Sequence, residues 1–387
     1  MSLSETLSQW VRSSVFFQKE SNLSSRQKWI LGLVNLGSVV IFWVSSSFLV
    51  SDLFDSDVYR KPFMITYLNT ACFTLYFIPY LKLEGLGVSE FVALVKAEYS
   101  NSPPAFNDIE TVSYGSGSDV NEIPPEPTPD LKVGILETIS LSLKFCALWF
   151  AANLATNCSL SYTSVASQTI LSSTCSFFTL IIGFVYGVEK VTRSKIYGIV
   201  LCFVGVVIVT RDDSSATNPA TSNWLVLMGN LMALIGALIY GIYTILLKMK
   251  TVVKNSTLER ELNTHLFFAF VGIFTLVILF PVMVILHFTG VERFVLPTNK
   301  HALTSLSINM LITLISDFCW CRAVLLTSPL TVTVGLSLTI PLAMVGDWVL
   351  KGFQLNLFYI SGAAIVTIGF LIINHDEEQE FSHNHIE

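Results

Sequence analysis

Long apolar runs broken by short polar stretches recur from Trp29 to Asn374. Each comes near the roughly 20 residues that a helix needs to cross a bilayer. Read in order, they predict ten spans, at 29–50, 62–81, 135–157, 162–188, 196–210, 223–248, 262–288, 301–321, 327–350 and 357–374. Trp29 and Trp224 stand at span entrances, where indoles suit the membrane interface. Pro62 suits the first turn of a helix, and Pro281 sits where it would kink one. The polar remainder divides into an arm at 1–28, a loop at 82–130, a linker at 211–222 and an acidic tail at 375–387. The loop carries nine acidic residues, Pro103-Pro104 and a Pro-Pro-Glu-Pro run, and is expected to be disordered from about Tyr99 to Pro129. The tail is expected to be mobile. The linker separates a first half, 29–210, from a second, 223–374.

The two halves echo each other. A constant offset of 164 lays Ser161–Glu189 on Leu325–Phe353, matching Thr169 to Thr333 and Ser173 to Ser337, then Gly198 to Gly362 and Gly205 to Gly369. Asn35-Leu36 and Asn230-Leu231 sit at matching depth in the first and sixth spans. Five helices per half make the halves insert upside down relative to each other, so the fold class read here is an all-α polytopic membrane protein of two inverted five-helix repeats. With both termini cytosolic, 15 lysines and arginines fall on the cytosolic side and 6 on the other, Lys144 within a span completing the 22. That bias fixes the expected orientation and makes the 82–130 loop cytosolic.

Composition agrees. Only 13% of residues are charged and 52% are hydrophobic, against about 25% charged in soluble domains. Residues 1–28 lack a cleavable signal pattern, so the first span is expected to direct insertion. The net charge of −6 comes largely from the loop and tail and gives no case for nucleic acid. Neither a nucleophile elbow, a phosphate-binding glycine loop nor an HExxH occurs, and Cys319-x-Cys321 is not a zinc spacing, so no enzyme, cofactor or metal site is expected. The seven cysteines lie in or at the ends of apolar segments and read as small packing residues.

The candidate chemistry is polar residues at membrane depth, where an unpaired charge costs about 2.5–3.5 kcal/mol. Asp317 lies in the body of the eighth span, with Trp320 three residues on. A carboxylate beside an indole suits an organic cation; the plainer reading pairs Asp317 with Arg322 or Lys248. Asn153 and Asn157 share a face of the third span and can orient a solute or bond a neighbouring helix. Thr169 and Ser173, echoed by Thr333 and Ser337, form stripes on the fourth and ninth spans, with Gln168 a companion. Such hydroxyls often bond their own helix, but the duplication favours a shared cavity wall. Tyr240 and Tyr243 follow a ridge of small residues, Gly229, Ala233, Ala237 and Gly241, that lets a neighbour approach closely; aromatic packing is their ordinary role and lining the cavity the alternative.

The stretches WFAANLATNCSLSYTSVASQTILSSTCSFFTL, LMGNLMALIGALIYGIYTILLK and SDFCWCRAVLLTSPLTVTVGLSLTIPLAMVGD resemble the drug/metabolite transporter superfamily, within it solute carrier family 35, subfamily F. They look closest to a fungal branch that includes vacuolar-membrane proteins and a thiamine-repressible transporter. The resemblance covers roughly residues 28–374. It implies a secondary carrier of an endomembrane, the vacuolar membrane first and Golgi or mitochondrion as alternatives, working by alternating access on a small solute. A thiamine-like cation is the first candidate and a nucleotide sugar the alternative. Asp317 is then substrate ligand or proton carrier. The fourth and ninth spans hold no Lys or Arg before their ends, which disfavours a phosphate-bearing solute. A scaffold or nutrient-sensing receptor on the same fold is the competing class, with the 82–130 loop and tail as docking segments; a homodimer is compatible with either.

Overall fold

The computed structural model describes residues 25–55, 61–101, 132–160, 171–210, 223–251, 260–295, 299–351 and 357–384. These residues are almost entirely helical; among them, β pairing is limited to an isolated bridge between Lys132 and Glu261. The helices are α1 (Ser25–Asp55), α2 (Pro62–Ala71), α3 (Phe77–Glu84), α4 (Val88–Asn101), α5 (Ile135–Leu160), α6 (Cys175–Val185) and α7 (Arg193–Thr210). They continue as α8 (Asn223–Thr251), α9 (Thr264–Phe274), α10 (Phe280–Thr289), α11 (Lys300–Leu326), α12 (Pro329–Gly335), α13 (Thr339–Lys351) and α14 (Leu357–Asn384). Five segments are long and apolar enough to cross a membrane: Arg26–Leu49, Ile135–Thr156, Trp224–Thr251, Thr264–Thr289 and Lys300–Leu326. Leu171–Val185 and Pro329–Ala343 are shorter apolar helices.

Three helical runs are interrupted, and proline is the physical cause in each. A proline has no N–H to give to the carbonyl four residues back, and its ring crowds that carbonyl. Pro79, Pro281 and Pro341 therefore disturb the turns at Leu75, Val277 and Ser337. Those residues lie inside a 3₁₀ stretch at Cys72–Tyr76, a π turn at Thr275–Leu279 and a 3₁₀ turn at Leu336–Leu338. The kink expected at Pro281 is thus a widened turn just upstream. The fourth run is broken at Thr174 without a proline: the Thr174 hydroxyl donates to the Leu171 carbonyl at 2.5 Å, closing a local turn before α6 begins.

Packing is pairwise and antiparallel. α1 lies along α11, α5 along α8 and α7 along α14. The tightest approach is α7 on α14, where glycines face backbone. A Cβ on Gly198 would stand 2.9 Å from the Gly369 carbonyl, and one on Gly369 would stand 2.7 Å from the Gly198 carbonyl. One on Gly205 would meet the Gly362 carbonyl at 2.8 Å. Between these contacts the Cys202 thiol donates to the Val366 carbonyl at 3.5 Å, two residues 164 apart in sequence. On α8 the small ridge is buried at Ala233 and Ala237, and Gly241 admits Thr179 of α6.

Two polar segments differ from expectation. The 82–130 loop opens as α4, started after a left-handed C-cap at Gly85 with φ 68°. Phe91 buries its ring against Phe77 and Tyr80 at 5.2 and 5.7 Å, which anchors a segment whose composition alone reads as solvated. Glu98 then accepts the backbone N–H groups of Ile135 and Leu136, capping α5. Residues 102–131, the rest of the expected disorder, lie outside the described residues. The acidic tail is helical through Asn384 as the end of α14, with Glu377 buried. Trp29 is also not at an open interface: it is 1% exposed, under the Phe381 ring at 5.3 Å.

Because Gly205 has no room for a side chain, Gly205→Leu should lower stability by about 1–3 kcal/mol through overpacking. Thermal unfolding in detergent measures it, and an unchanged midpoint would mean that α7 and α14 separate without cost.

Candidate functional site

Asp317 sits two-thirds of the way along α11 and is 6% exposed. Its carboxylate lies near the Trp43 side chain of α1, and Oδ2 has no hydrogen-bond partner among the described residues. Among those residues it joins no ion pair. Lys248, one suggested partner, donates instead to the Leu325 and Thr327 carbonyls at 2.9 and 3.2 Å, capping the end of α11. Arg322 is buried in α11 a turn beyond Asp317, and its charge acts on His265 of α9 and on Cys319.

Trp320 points into an aromatic cluster. Its indole N–H donates to the Tyr240 hydroxyl at 2.9 Å. Its ring lies 5.9 Å from Phe145 of α5 and 5.7 Å from Tyr243 of α8, at tilted and edge-on angles that aromatic pairs prefer. Asp317 and Trp320 therefore face different neighbours, α1 and α8. The carboxylate nonetheless interacts electrostatically with both Tyr240 and Tyr243, so the four residues belong to one region of the bundle.

The other candidates are more scattered. Asn153 is half-buried on α5 and donates to the Trp149 carbonyl of its own helix at 2.8 Å, not to a neighbouring helix. Thr333 is buried on α12 and donates to the Leu330 carbonyl of its own helix at 3.0 Å, the behaviour common for helical threonines. Ser173 and Ser337 are half-buried at the two breaks, beside Thr174 and within Leu336–Leu338. Pro341 leaves the Ser337 carbonyl without its usual helical donor. Gln168 and Thr169 lie outside the described residues, as does the side chain of Asn157.

Sequence reasoning passed over Trp43, Phe145 and Tyr76, whose hydroxyl donates to the Leu314 carbonyl of α11. Their aromatic letters are unremarked among 12% aromatics. The prolines at 79 and 341 were the signal for the breaks.

It also missed a charged cluster beyond the ends of the spans. Lys195, fully buried, lies 2.5 Å from Glu377, 2.8 Å from Glu380 and 3.6 Å from Glu189. Glu189 also accepts the Leu330 N–H at 3.0 Å, capping α12, and Thr192 donates to Asp376 at 2.7 Å. The turn before α7, the start of α12 and the end of α14 are thus tied together. Burial pushes the Glu189 carboxyl well above the ordinary carboxylate range, and Glu377 beside it adds to this against the pull of Lys195. Burial lowers Lys195, but Glu377 and Glu189 outweigh it and hold the ammonium above its ordinary range.

The fold and site define a class: a helical integral membrane protein with interrupted helices around a buried carboxylate. A family profile described as purine nucleobase transmembrane transport matches residues 125–316. The chain is 43% identical to an uncharacterized vacuolar membrane protein of Saccharomyces cerevisiae, YML018C, over 94% of each chain. It is 37% identical to the thiamine-repressible mitochondrial transport protein THI74 of the same yeast, over 90% of this chain and 92% of that protein. Solute carrier family 35 member F5 of Pongo abelii is 30% identical over 92% of this chain and 78% of its own length. One solved crystal structure shares the fold, with a TM-score of 0.56 at 11% identity over 90% of this chain and 98% of that one. The chain belongs to solute carrier family 35, in the subfamily F group that also contains these yeast proteins.

Two outcomes are expected at the charged cluster. Lys195→Ala leaves buried carboxylates uncompensated and should cost about 3–5 kcal/mol, measured by unfolding. Glu189 holds its proton more tightly folded than unfolded, so it favours the folded state at low pH. That contribution is lost as pH rises from the ordinary carboxylate range toward the shifted one. Melting temperature should fall across that window, and Glu189→Gln should flatten the fall; a parallel profile would contradict the assignment.

Proposed function

We propose that the chain is a secondary-active solute carrier of ten spans in two inverted halves, working by alternating access. The observation that carries this is how the packing pattern reads when the halves are exchanged. α1 on α11 joins the expected first and eighth spans; exchange gives the sixth on the third, which is α8 on α5. The fifth on the tenth, α7 on α14, maps onto itself. Gly198 with Gly369 exchanges with Gly362 on Gly205 under the offset of 164, and Cys202 meets its own counterpart Val366. The breaks correspond as well. Ser173 and Thr174 answer Ser337 and Leu338, and the Pro79 and Pro281 interruptions occupy the second and seventh spans. Inverted halves packed about such a pseudo-two-fold axis can rock against each other and expose one site to either side in turn.

For the solute, a buried carboxylate near Trp320, Tyr240 and Tyr243 suits a flat, amino-substituted nitrogen heterocycle that carries or accepts positive charge. One relative is named for repression by thiamine, and the matching profile is described by purine nucleobases. Both solutes have such a ring, so a thiamine-like compound leads and a purine nucleobase joins the panel. A nucleotide sugar ranks lower because Asp317 offers the wrong charge for its phosphates. The vacuolar-membrane relative supports an endomembrane location, with both termini cytosolic by the basic-residue bias. The scaffold or receptor reading has no comparable support in the packing.

Purified protein in liposomes should show saturable counterflow with thiamine, adenine or both. Asp317→Asn should abolish saturable binding if the carboxylate is the counter-charge, or spare exchange and remove pH-driven uptake if it carries the proton. Trp320→Ala should weaken binding, with partial recovery in Trp320→Phe. Well-folded wild-type protein that exchanges no member of a broad solute panel would sink the carrier reading. For orientation, a tag after Asn384 should be cleaved in cytosol-side-out vesicles.

A further inference from the structure

α11 carries a second orphaned polar group on the side that faces α1. Asn309 is 1% exposed; its Oδ1 accepts the Ser46 hydroxyl at 2.6 Å, and its Nδ2 has no hydrogen-bond partner among the described residues. Eight residues further on, Asp317 meets Trp43 of the same α1 and leaves Oδ2 unpartnered. Trp43 and Ser46 are three apart on α1, so both contacts belong to one antiparallel seam. Thr313 falls midway, at the i+4 position that continues the stripe. An unsatisfied buried polar atom is costly, and hydrocarbon supplies no partner for it. An amide N–H and a carboxylate oxygen, about 12 Å apart along the helix axis, are donor and acceptor ends suited to a short file of water. A metal cation is a poor occupant, since Nδ2 donates and cannot ligate it.

The first half sharpens the point. Under the offset of 164, Asn309, Thr313 and Asp317 correspond to Phe145, Trp149 and Asn153. Phe145 is 1% exposed and packs on Phe267 at 5.0 Å, and Trp149 packs on Phe73 at 6.4 Å. The fold fills the first two of these three positions with aromatic rings in one half, so polarity at Asn309 and Thr313 is not required for packing.

We propose that Asn309, Thr313 and Asp317, with Ser46 opposite, line a proton route along the α1–α11 seam. It joins Asp317 to the aqueous phase at the Lys300 end of α11. This rests on the carrier reading and deepens it by assigning the proton as the coupled ion. A proton moves from water at that end through the file onto Oδ2 of Asp317 and leaves as a proton when the site turns to the other side. The titratable groups that feel the charge of Asp317 are Cys72 and Tyr76 from the 3₁₀ stretch, Tyr240 and Tyr243 from α8, and Cys319 on its own helix, with Trp43 of α1 beside it; none of these is a carboxylate that would compete for the proton.

The test is infrared spectroscopy of the full-length protein in lipid films, which needs no solute. A protonated carboxyl band present in wild type and absent in Asp317→Asn should shift within the dead time of exposure to D₂O. Asn309→Leu should slow that shift several-fold, and Asn309→Ser should restore it. Equal rates in wild type and Asn309→Leu, or no Asp317-dependent band at any pH at which the protein stays folded, would overturn the route. Liposome assays with thiamine and adenine run beside it. Counterflow intact in Asn309→Leu with loss of pH-driven uptake supports the route, and full pH-driven uptake in Asn309→Leu overturns it. Absent counterflow in wild type counts against the carrier reading alone, since the infrared result still decides the route.

Discussion

The contact on which the bundle depends is the backbone-to-backbone approach of α7 and α14. Water supplies the driving force for helix association in a soluble protein, but lipid tails are as apolar as leucine. Helices in a membrane associate through close van der Waals fit and bonds between exposed polar groups. Glycines at 198, 205, 362 and 369 remove the side chains that would hold the axes apart. Carbonyls then face glycine backbone, and a thiol bonds across the gap at Cys202. The other two main pairings, α1 on α11 and α5 on α8, likewise join a helix of one half to a helix of the other.

Given that frame, the interruptions acquire a role. Continuous helices would present only side chains to the middle of the bundle. The proline-linked turns at Cys72–Tyr76, Thr275–Leu279 and Leu336–Leu338, and the turn at Thr174, take backbone groups out of the regular helical ladder. They occur in runs that are short or divided, which is why the clearest membrane-crossing helices are α1, α5, α8 and α11 together with the Thr264–Thr289 run. The α1–α11 seam meets this middle region through Asp317 and Trp43, and the α5–α8 pair meets it through Phe145, Tyr240 and Tyr243.

Carboxylates serve two opposite purposes in this chain. Glu98 and Glu189 each accept backbone N–H groups at the start of another helix, where the helix dipole favours negative charge. They are structural, and their donors identify them as such. Asp317 caps no helix, and its Oδ2 has no hydrogen-bond partner among the described residues. Lys195 shows how an ammonium is neutralised when the fold means to bury it: three carboxylates surround it, and they convert an acidic tail into the docked end of α14.

What the sequence determined by itself was what depends on composition and local period. Apolar runs marked where helices lie, small residues four apart at Gly229, Ala233, Ala237 and Gly241 marked a ridge for close approach, and an offset of 164 marked the equivalent positions of the two halves. Family membership was also legible, because it is carried by letters. Asp317 could be singled out because one carboxylate in an apolar run is costly wherever it points. The tertiary structure decided directions and partners. Whether Trp320 faced Asp317 or Tyr240, whether Asn153 bonded across or along its helix, and whether the tail was free or tied to Lys195 depend on which neighbour stands opposite. Helical spacing gives a residue's angle on its own axis, but not what occupies the space beyond it; that is fixed only when helices distant in sequence come to share one interior.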